Sequence, residues 1–431
     1  MKVKFYTLGC KVNQYESQAM TEQLLNNGYT LAQGEEKADV IIVNSCTVTN
    51  EADRKTRQAV RRFKKNNPDS VVVLTGCVPQ AYPEKARELT EADIVLGNKS
   101  NHLLVGALNE FFSSGCRVFG VSEHKTGDPF CVQTISRFEE RTRASVKIQD
   151  GCNRFCSYCA IPYARGRVRS KPLDVIKEEI RTLAENGYKE VVLVGINLSS
   201  YGSDIGATFP DAVKIADSTE GILRVRLGSL EPDHLTDEVI SELAKCKKLC
   251  PQFHISLQSG CDATLKRMNR HYNTEEYRHL AKKLRESFDE CSLTTDIMVG
   301  FAGETEEDFE ESVRFAEEIG FEKVHVFPYS VRKGTKAEKL PGHLEKAVKE
   351  ERSRIMIERT EKIRRLFLAG QVGKTVEVLF ETADSDGFLT GYTTNYTPVK
   401  ARLDEAFCGR LVNIKITDTE DDFCIGGLSS K

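Results

Sequence analysis

The sequence predicts a multidomain α/β protein that ends in a small antiparallel β-barrel. Short apolar runs alternate with amphipathic helical patterns over the first hundred residues, a longer alternation begins at Arg143, and short strands separated by glycines begin at Val372. At 431 residues the chain is long enough for two or three domains, each with its own core. The predicted segments are a parallel α/β domain at 1–100, a linker at 101–140, a partial barrel at 141–369 and a β-barrel at 370–431.

The first domain is predicted from three strands, each followed closely by a cysteine. The strands are expected at 2–8, 39–44 and 70–75, and the cysteines are Cys10, Cys46 and Cys77. Strands that alternate with helices form parallel sheets, and open sheets of this kind bind ligands at the carboxyl ends of their strands. We therefore expect the three cysteines to converge on one iron–sulfur site. The alternative is that each cysteine is a small packing residue.

A basic helix is predicted between the second and third strands, over residues 51–67. Two acidic residues oppose its seven cations, and its arginines are Arg54, Arg57, Arg61 and Arg62. Two interpretations stay open for this helix. It is either an ordinary solvated face or a surface that contacts the phosphates of a nucleic acid.

The central domain is predicted from six strand-like runs separated by helical patterns. The runs span 144–149, 190–195, 223–230, 253–257, 293–299 and 323–329. Six βα repeats are too few for a closed eight-stranded barrel, so we expect an open partial (β/α)6 barrel that leaves room for a large substrate. Active sites of such barrels lie at the carboxyl ends of the strands.

The densest chemical feature is the loop after the first of these strands, which carries Cys152, Cys156 and Cys159. Cysteines this close together in an intracellular chain usually hold metal. A structural zinc site is closed by four ligands, and a four-iron cluster is normally held by four cysteines. Three thiolates therefore leave one position open for a substrate. The alternative is a zinc knuckle with a distant fourth ligand.

Polar or glycine residues follow the other barrel strands, where a cofactor would bind. These candidates are Gly195, Asn197, Ser229, Glu231, Gln258 and Asp296. Ordinary turn chemistry is the alternative for each of them. A basic run with Arg165, Arg167, Arg169 and Lys171 follows the cysteine loop and predicts contacts to RNA phosphates or to a cofactor carboxylate; a solvated loop is the alternative.

The tail from Val372 to Leu428 predicts a small antiparallel barrel in the size range of oligonucleotide-binding barrels. Residues 372–431 hold six Lys or Arg and ten Asp or Glu. An acidic module attracts RNA phosphates poorly, so contacts to bases or to protein are expected instead.

Composition narrows the class of protein. Lys plus Arg number 61 against 64 for Asp plus Glu, so a polyanionic partner must meet local basic patches. The fourteen cysteines are spread over a long chain that lacks the pattern of a signal peptide or of a membrane span. We expect a soluble cytoplasmic protein with reduced, metal-binding thiols.

The spacing of Cys152, Cys156 and Cys159 resembles the signature loop of radical S-adenosylmethionine (SAM) enzymes. Together with the amino-terminal triplet, the chain resembles the methylthiotransferase family along almost its whole length. That family combines a flavodoxin-like cluster domain, a radical SAM barrel and an OB-like TRAM module. The segments 8–13 and 44–49 are similar to the branch that acts on N6-threonylcarbamoyladenosine beside the tRNA anticodon. The isopentenyladenosine branch, the ribosomal-protein branch and a non-enzymatic iron–sulfur protein stay open as alternatives.

The resemblance implies two [4Fe-4S] clusters and SAM as cofactors. Cys152, Cys156 and Cys159 would hold the catalytic cluster, with Tyr158 near the adenine of SAM. The amino-terminal cysteines would hold a second cluster that serves sulfur insertion. The implied partners are the anticodon stem-loop of tRNA and a one-electron donor such as flavodoxin or ferredoxin, with no membrane and no DNA.

Overall fold

The structure is a computed structural model that describes residues 1–138 and 142–429. Its first layer is a six-stranded sheet with the order β2-β1-β3-β4-β5-β6, and every pair is parallel. The strands are β1 Lys2–Thr7, β2 Thr30–Leu31, β3 Val40–Ser45, β4 Val71–Gly76, β5 Ile94–Leu96 and β6 Val118–Gly120. The helices are α1 Lys11–Leu25, α2 Asn50–Asn66, α3 Cys77–Ala81, α4 Pro83–Glu88 and α5 Leu104–Ser114.

Both faces of this sheet are covered by packed side chains. Val71 and Val73 of β4 belong to one hydrophobic core, while Val72 and Leu74 belong to another. This alternation explains why the strand is a continuous apolar run, as expected for a parallel sheet buried on both faces. The predicted parallel α/β domain is confirmed. The sheet also includes β6, so it extends past residue 100 into the segment that the sequence assigned to a linker.

The central layer is an open barrel built from two three-stranded parallel sheets, β11-β10-β7 and β12-β13-β14. Parallel bridges from Val225 to Leu249 and from Leu230 to Ile255 join the two sheets into one curved row. The strands are β7 Arg143–Lys147, β8 Gln149–Asp150, β9 Arg169–Ser170, β10 Glu190–Val194, β11 Arg224–Leu227, β12 Gln252–His254, β13 Ser292–Val299 and β14 Lys323–Pro328. Among the described strands β7 and β14 do not pair with each other, which confirms the predicted open (β/α)6 arrangement.

Helices cover the outside of this barrel, and several begin at capping residues visible in the sequence. Thr305 and Asp308 form a capping box at the start of α12, and Asn273 and Glu276 form one at the start of α11. The helices are α6 Ile161–Arg165, α7 Leu173–Glu185, α8 Phe209–Ser218, α9 Asp237–Leu243, α10 Asp262–Arg267, α11 Thr274–Ser287, α12 Glu306–Ile319 and α13 Lys346–Ala369. Their apolar faces and the outer faces of the strands share one large core.

The tail forms a closed five-stranded barrel with the order β15-β16-β17-β19-β18, which confirms the predicted small β-barrel. The strands are β15 Thr375–Ala383, β16 Phe388–Thr393, β17 Pro398–Arg402, β18 Leu411–Glu420 and β19 Phe423–Leu428. The sequence did not indicate β19, because its two adjacent glycines read as a turn. A Cβ at Gly426 would lie 2.5 Å from the Lys415 carbonyl oxygen, so a glycine lets this strand pass close to β18.

The tail barrel docks on the amino-terminal ends of the central strands. The Arg226 guanidinium donates to the carbonyl oxygens of Thr393 and Thr394, at 3.0 and 2.9 Å. The Ser292 hydroxyl donates to the Asn395 carbonyl at 2.6 Å. The opposite ends of the strands are left for the cysteine loop. Within the part of the chain that the structure describes, no helix has the length and apolar character of a membrane span.

Candidate active site

The loop that carries Cys152, Cys156 and Cys159 follows β8 and is bent back on itself. Gly151 has φ +76°, and a Cβ there would lie 1.8 Å from the Arg167 carbonyl oxygen. The Cys152 amide donates to the Gly166 carbonyl at 3.0 Å, which holds the two ends of the loop together. Gly151 is therefore required both by its left-handed backbone and by the close approach of residue 167.

Hydrogen-bond donors surround the sulfur atoms of this loop. The side-chain amide of Asn197 lies 3.8 Å from the Cys152 sulfur, and the Arg270 guanidinium lies 3.2 Å from the Cys156 sulfur. The backbone amide of Ile161 lies 3.4 Å from the Cys159 sulfur. Burial raises the pKa of Cys152 to about 11, so the bare thiol is neutral, whereas a bound metal ion would deprotonate it. Donors aimed at sulfur suit thiolates that ligate a cluster.

Arg270 is a site residue that the sequence analysis missed. Its buried guanidinium forms an ion pair with Glu231 and donates to the Ser256 carbonyl at 3.2 Å and to the Tyr272 hydroxyl at 2.9 Å. Glu231, which was predicted as a cofactor-binding residue, therefore orients the arginine that contacts Cys156. No motif in the sequence marks Arg270, because its partners come from three separate segments.

The carboxyl end of β10 is tied to the cysteine loop through Gln149. The buried Gln149 amide donates to the Asp150 and Gly151 carbonyls, at 2.9 and 2.7 Å, and its oxygen accepts from the Asn197 backbone amide at 2.8 Å. A Cβ at Gly195 would lie 2.8 Å from that same oxygen, so the glycine makes room for Gln149. The predicted residues Gly195 and Asn197 thus lie beside the loop, and Gln149 joins them to it.

The remaining predicted cofactor residues line the same end or the interior of the barrel. Tyr158 meets Phe301 edge-on, with ring centroids 6.2 Å apart. Gln258 has a left-handed backbone, φ 68°, and its amide donates to the Asp296 carbonyl at 2.8 Å. Ser229 and the Asp296 side chain face an interior cavity. Their contacts with SAM stay predictions.

The second triplet also comes together, at the carboxyl ends of β1, β3 and β4. Cys10 precedes α1, Cys46 follows β3, and Cys77 begins α3. The side-chain oxygen of Asn13 lies 3.8 Å from the Cys10 sulfur and 4.0 Å from the Cys77 sulfur. A Cβ at Gly9 would lie 2.9 Å from the Cys46 sulfur, so Gly9 leaves space beside it. Three strand ends thus bring three thiols into one small volume.

Asn13 holds the cysteine-bearing loops in place and was not identified as a site residue from the sequence. Its buried amide nitrogen donates to the Leu8 and Ser45 carbonyls, both at 2.8 Å. These carbonyls lie just before Cys10 and Cys46. Burial, together with the neighbouring Cys77, raises the pKa of Cys46 to about 12, so this thiol too is neutral until it binds a metal.

The donor chemistry of both triplets fits iron–sulfur clusters. Each set consists of cysteine alone, and soft thiolates are the ligands of such clusters. Among residues 1–138 and 142–429, no three His, Cys, Asp or Glu side chains have the geometry of a site for a single metal ion. The match of the two triplets to iron–sulfur clusters therefore rests on their thiol donors and on the glycines and amides that surround them.

Arg165 and Arg169 do not lie where the sequence predicted, and we correct the expectation that they contact RNA. Arg165 has 0% of its surface exposed; it pairs with Glu16 of α1 and donates to the Asn13 side-chain oxygen at 2.7 Å. Arg169 is also buried and approaches Asp150 at 3.4 Å. The sequence predicts both as surface cations because their carboxylate partners are distant in sequence.

The arginines at 167 and on α2 do face solvent. Arg167 is exposed, with its guanidinium 4.5 Å from the centre of the Phe155 ring. On α2, Arg54 pairs with Glu51, Arg61 pairs with Glu91 at 3.1 Å, and Arg62 covers the Phe63 ring. Arg57 is exposed and forms no ion pair with any residue of the described ranges. The helix therefore remains available to a phosphate backbone.

An interior cavity of about 540 Å³ connects the three parts of the molecule. Lys11, next to Cys10, lies on one side, and Ser229 and Asp296 of the central barrel form part of the wall. Tyr392 and Tyr396 of the tail barrel lie at the other end, stacked with ring centroids 4.4 Å apart. Its size is in the range of pockets that bind small molecules or nucleosides.

Comparisons with known proteins agree with this architecture. The model of the Radical SAM superfamily matches residues 146–316, that of Uncharacterized protein family UPF0004 matches 2–97, and that of the TRAM domain matches 370–428. A solved structure of the radical SAM methyltransferase TsrM from Kitasatospora setae has a TM-score of 0.55 at 15% identity, covering 76% of this chain and 74% of that one. The fold and the cysteine loop thus define a radical SAM protein.

Curated relatives narrow this class. The threonylcarbamoyladenosine tRNA methylthiotransferase MtaB of Bacillus subtilis (strain 168) is 36% identical over 420 residues, covering 96% of this chain and 93% of that protein. Its namesake in Thermotoga maritima is 38% identical over 395 residues, covering 91% of this chain and 90% of that protein. A tRNA-2-methylthio-N(6)-dimethylallyladenosine synthase of Clostridium botulinum (strain Hall) is 36% identical over 420 residues, covering 95% and 93%. The chain belongs to the methylthiotransferase family and is of the MtaB type.

Proposed function

We propose that this protein adds a methylthio group to C2 of N6-threonylcarbamoyladenosine at position 37 of tRNA. Four relatives with the MtaB name, at 34–38% identity over almost the whole chain, carry the proposal. The TRAM match and the basic face of α2 support an RNA substrate. An anticodon loop suits an enzyme that acts on a base edge, because its bases can leave the stack without melting a duplex.

Each cysteine triplet, in this proposal, holds one four-iron cluster. One electron delivered to SAM at the barrel cluster would cleave it to methionine and a 5′-deoxyadenosyl radical, the second cluster would supply the sulfur, and another SAM would supply the methyl group. The chain's own residues hold and orient these groups. Arg270 places a positive charge beside the Cys156 sulfur, and Asn197 places an amide donor beside the Cys152 sulfur. Asn13 holds the loops that carry the amino-terminal cysteines.

We assign SAM to the carboxyl ends of β10 to β13, beside the cysteine loop. Tyr158 would contact its adenine, and Asn197, Ser229 and Gln258 would contact its polar groups. In the same proposal the chain divides into a cluster domain, the partial barrel and the TRAM barrel. The protein works in the cytoplasm, where a flavodoxin or a ferredoxin donates the electron. The exposed Arg57 and Arg167 would contact phosphates of the anticodon stem.

The test of this function is mass spectrometry of tRNA nucleosides from cells with and without the gene. We expect 2-methylthio-N6-threonylcarbamoyladenosine to disappear in the deletion strain while N6-threonylcarbamoyladenosine accumulates. A plasmid copy should restore the product, and a copy with Cys152→Ala should not. An unchanged nucleoside profile would contradict the proposal.

Methylthiolation of isopentenyladenosine is the second candidate, because synthases of that product are as similar as 36% over 420 residues. The same nucleoside profile separates the two. Loss of the methylthio form of isopentenyladenosine, with the threonylcarbamoyl product retained, would assign the protein to this second activity.

A further inference from the structure

The inner face of β14 presents large side chains that have no role in the proposed cluster sites or SAM site. Val324 and Val326 point outwards and pack against the barrel core, so the alternating residues Lys323, His325 and Phe327 point inwards. Phe327 is 47% exposed. An aromatic ring exposed on the inside of an open barrel is available to a ligand.

A cluster of polar groups lies beside this face, in the middle of the cavity. The His254 ring nitrogen Nε2 lies 3.3 Å from an Asp296 carboxylate oxygen, and Nδ1 lies 3.0 Å from the Thr294 hydroxyl. The ring centroids of His254 and His325 are 5.8 Å apart. His325 is exposed to the cavity and forms no hydrogen bond with any described residue. The cluster therefore has hydrogen-bonding capacity to spare.

Where the cavity wall meets the tail barrel, the arginine in that wall already has a charged partner. Arg226 pairs with Glu190 at 2.8 Å and lies against the Tyr396 ring. Lys323, by contrast, approaches its nearest carboxylate, on Asp422, only at 3.8 Å. Partial desolvation in the cavity lowers the pKa of His325 and outweighs the opposing effect of Asp296, so its ring is neutral at pH 7 and can donate or accept a hydrogen bond. A cation and two imidazoles thus face the same space.

We propose that His254, Asp296, His325 and Lys323 form the subsite for a polar, carboxylate-bearing substituent on N6 of the target adenine, and that Phe327 stacks on the adenine ring. This inference rests on the proposed function and names the residues that select its substrate. It assigns the Asp296 side chain to that substrate in place of the SAM contact that the sequence predicts. C2 must face the cysteine loops at the carboxyl ends of the strands. The N6 substituent leaves the ring in another direction, towards this cluster, in which Lys323 begins β14 and Asp296 lies in the middle of β13.

The chemistry of the cluster selects between the two candidate substrates. A threonylcarbamoyl group brings a carboxylate, a hydroxyl and urea N–H groups, which match a lysine, two imidazoles and a carboxylate. An isopentenyl group offers no polar atom and would cover these side chains without pairing them. Sites built to hydrogen-bond a substrate reject an analogue that leaves their polar groups unpaired.

The experiment compares two anticodon stem-loop RNAs, one with N6-threonylcarbamoyladenosine and one with isopentenyladenosine at position 37. Reconstituted wild-type protein is compared with His254→Leu combined with His325→Leu. The double variant should methylthiolate the threonylcarbamoyl RNA at least about tenfold more slowly, with a raised KM, whereas its rate on the isopentenyl RNA, which the wild type rejects, should stay equal or rise. The matched control is His279→Leu, an exposed histidine on α11 that pairs with Asp237 and should behave as wild type.

Iron content and tRNA-free formation of 5′-deoxyadenosine show that each variant is folded and loaded. His254→Asn combined with His325→Asn keeps hydrogen-bonding atoms at both positions and should retain more activity than the double leucine variant. Loss of iron or of tRNA-free 5′-deoxyadenosine formation in the double variant would mean that the cluster is structural, and unchanged activity on the threonylcarbamoyl RNA would remove it from the substrate site; either result overturns the subsite while the proposed function stands. A wild-type protein that modifies only the isopentenyl RNA would overturn both.

The stacking part of the inference has its own test. Phe327→Ala should weaken binding of either RNA about tenfold, because base–aromatic stacking does not depend on the N6 group. Phe112→Ala is the control, since Phe112 is similarly exposed but lies on α5. Affinity equal to wild type would exclude Phe327 as the stacking residue.

Discussion

The two cysteine triplets carry the same ligands but are assembled in different ways. Cys152, Cys156 and Cys159 lie in one short loop that Gly151 and the backbone of residues 166–167 bend into place. The amino-terminal thiols come from three strand ends and are held together by the side chain of Asn13. Local sequence therefore organises the first site, whereas the second exists only when its whole sheet has formed.

Arg165 joins the two sites physically. It ends α6, the helix that begins just after Cys159, and its guanidinium reaches Asn13 beside Cys10 and Cys77. Its ion pair with Glu16 is buried in a network that also includes Lys147 and Asp150, so removal of either partner would upset the charge balance of that network. A buried side chain thus links the two cysteine sites directly.

The largest expected effect tests whether the sites are separate. Replacement of Cys152, Cys156 and Cys159 by Ala should remove about four irons and abolish SAM cleavage, because these thiolates are the proposed ligands of a [4Fe-4S] cluster. The amino-terminal cluster should remain, as judged by iron analysis and electron paramagnetic resonance of the anaerobically reconstituted protein. Loss of all iron, or zinc in its place, would contradict separate sites.

A second substitution separates the roles of the two sites. Cys46→Ala should leave 5′-deoxyadenosine formation from SAM intact while no methylthio product forms, because the radical arises at the other cluster. Chromatography of the SAM products and mass spectrometry of the RNA measure the two outcomes. If this variant keeps its barrel cluster yet fails to cleave SAM, the proposed division of labour is wrong.

Asn13→Ala tests how the dispersed site is held together. The substitution removes two buried hydrogen bonds to carbonyls and leaves Arg165 without one acceptor, so the free energy of unfolding should fall by about 1–3 kcal/mol. Iron should be lost from the amino-terminal site and retained in the barrel. Thermal unfolding and iron analysis provide the measurement.

The control for this substitution is Asn27→Ala, an exposed asparagine just after α1 whose side chain, within the described ranges, bonds only to the Gln23 carbonyl. It should change the free energy of unfolding by less than about 0.5 kcal/mol and leave the iron content of both sites as in wild type. An Asn13→Ala protein with full iron and unchanged stability would show that the three strand ends hold the thiols without this side chain.

The difference between the triplets also explains how much the sequence could predict. The barrel loop is recognisable from spacing alone, and strand-end cysteines follow from the rule that parallel strands meet at one edge. Asn13, Gln149 and Arg270 were missed because their contacts cross between separate segments. Arg165 was misplaced for the same reason, since Glu16 lies in another layer. Strands such as β2 and β5 span only two and three residues, too few for a periodic pattern.

The smallest expected effect concerns the RNA surface that adjoins the dispersed site. α2 begins shortly after Cys46, and its first turn is fixed to the central barrel by buried Arg332, which donates to Asp53 at 2.8 Å. The exposed arginines of α2 are therefore held in a defined position relative to the amino-terminal thiols. Arg57 has no carboxylate partner among the described residues, so it can meet a phosphate without first breaking an ion pair.

Arg57→Gln should weaken tRNA binding modestly and lower the log–log slope of affinity against salt concentration by about 0.7–0.9, the contribution of one phosphate contact. Binding is measured by filter retention across a salt series, with iron content and tRNA-free SAM cleavage expected to match wild type. Lys282→Gln is the matched control, because Lys282 is an exposed cation on α11, distant in sequence from both triplets. A slope identical to wild type for Arg57→Gln would remove Arg57 from the RNA surface.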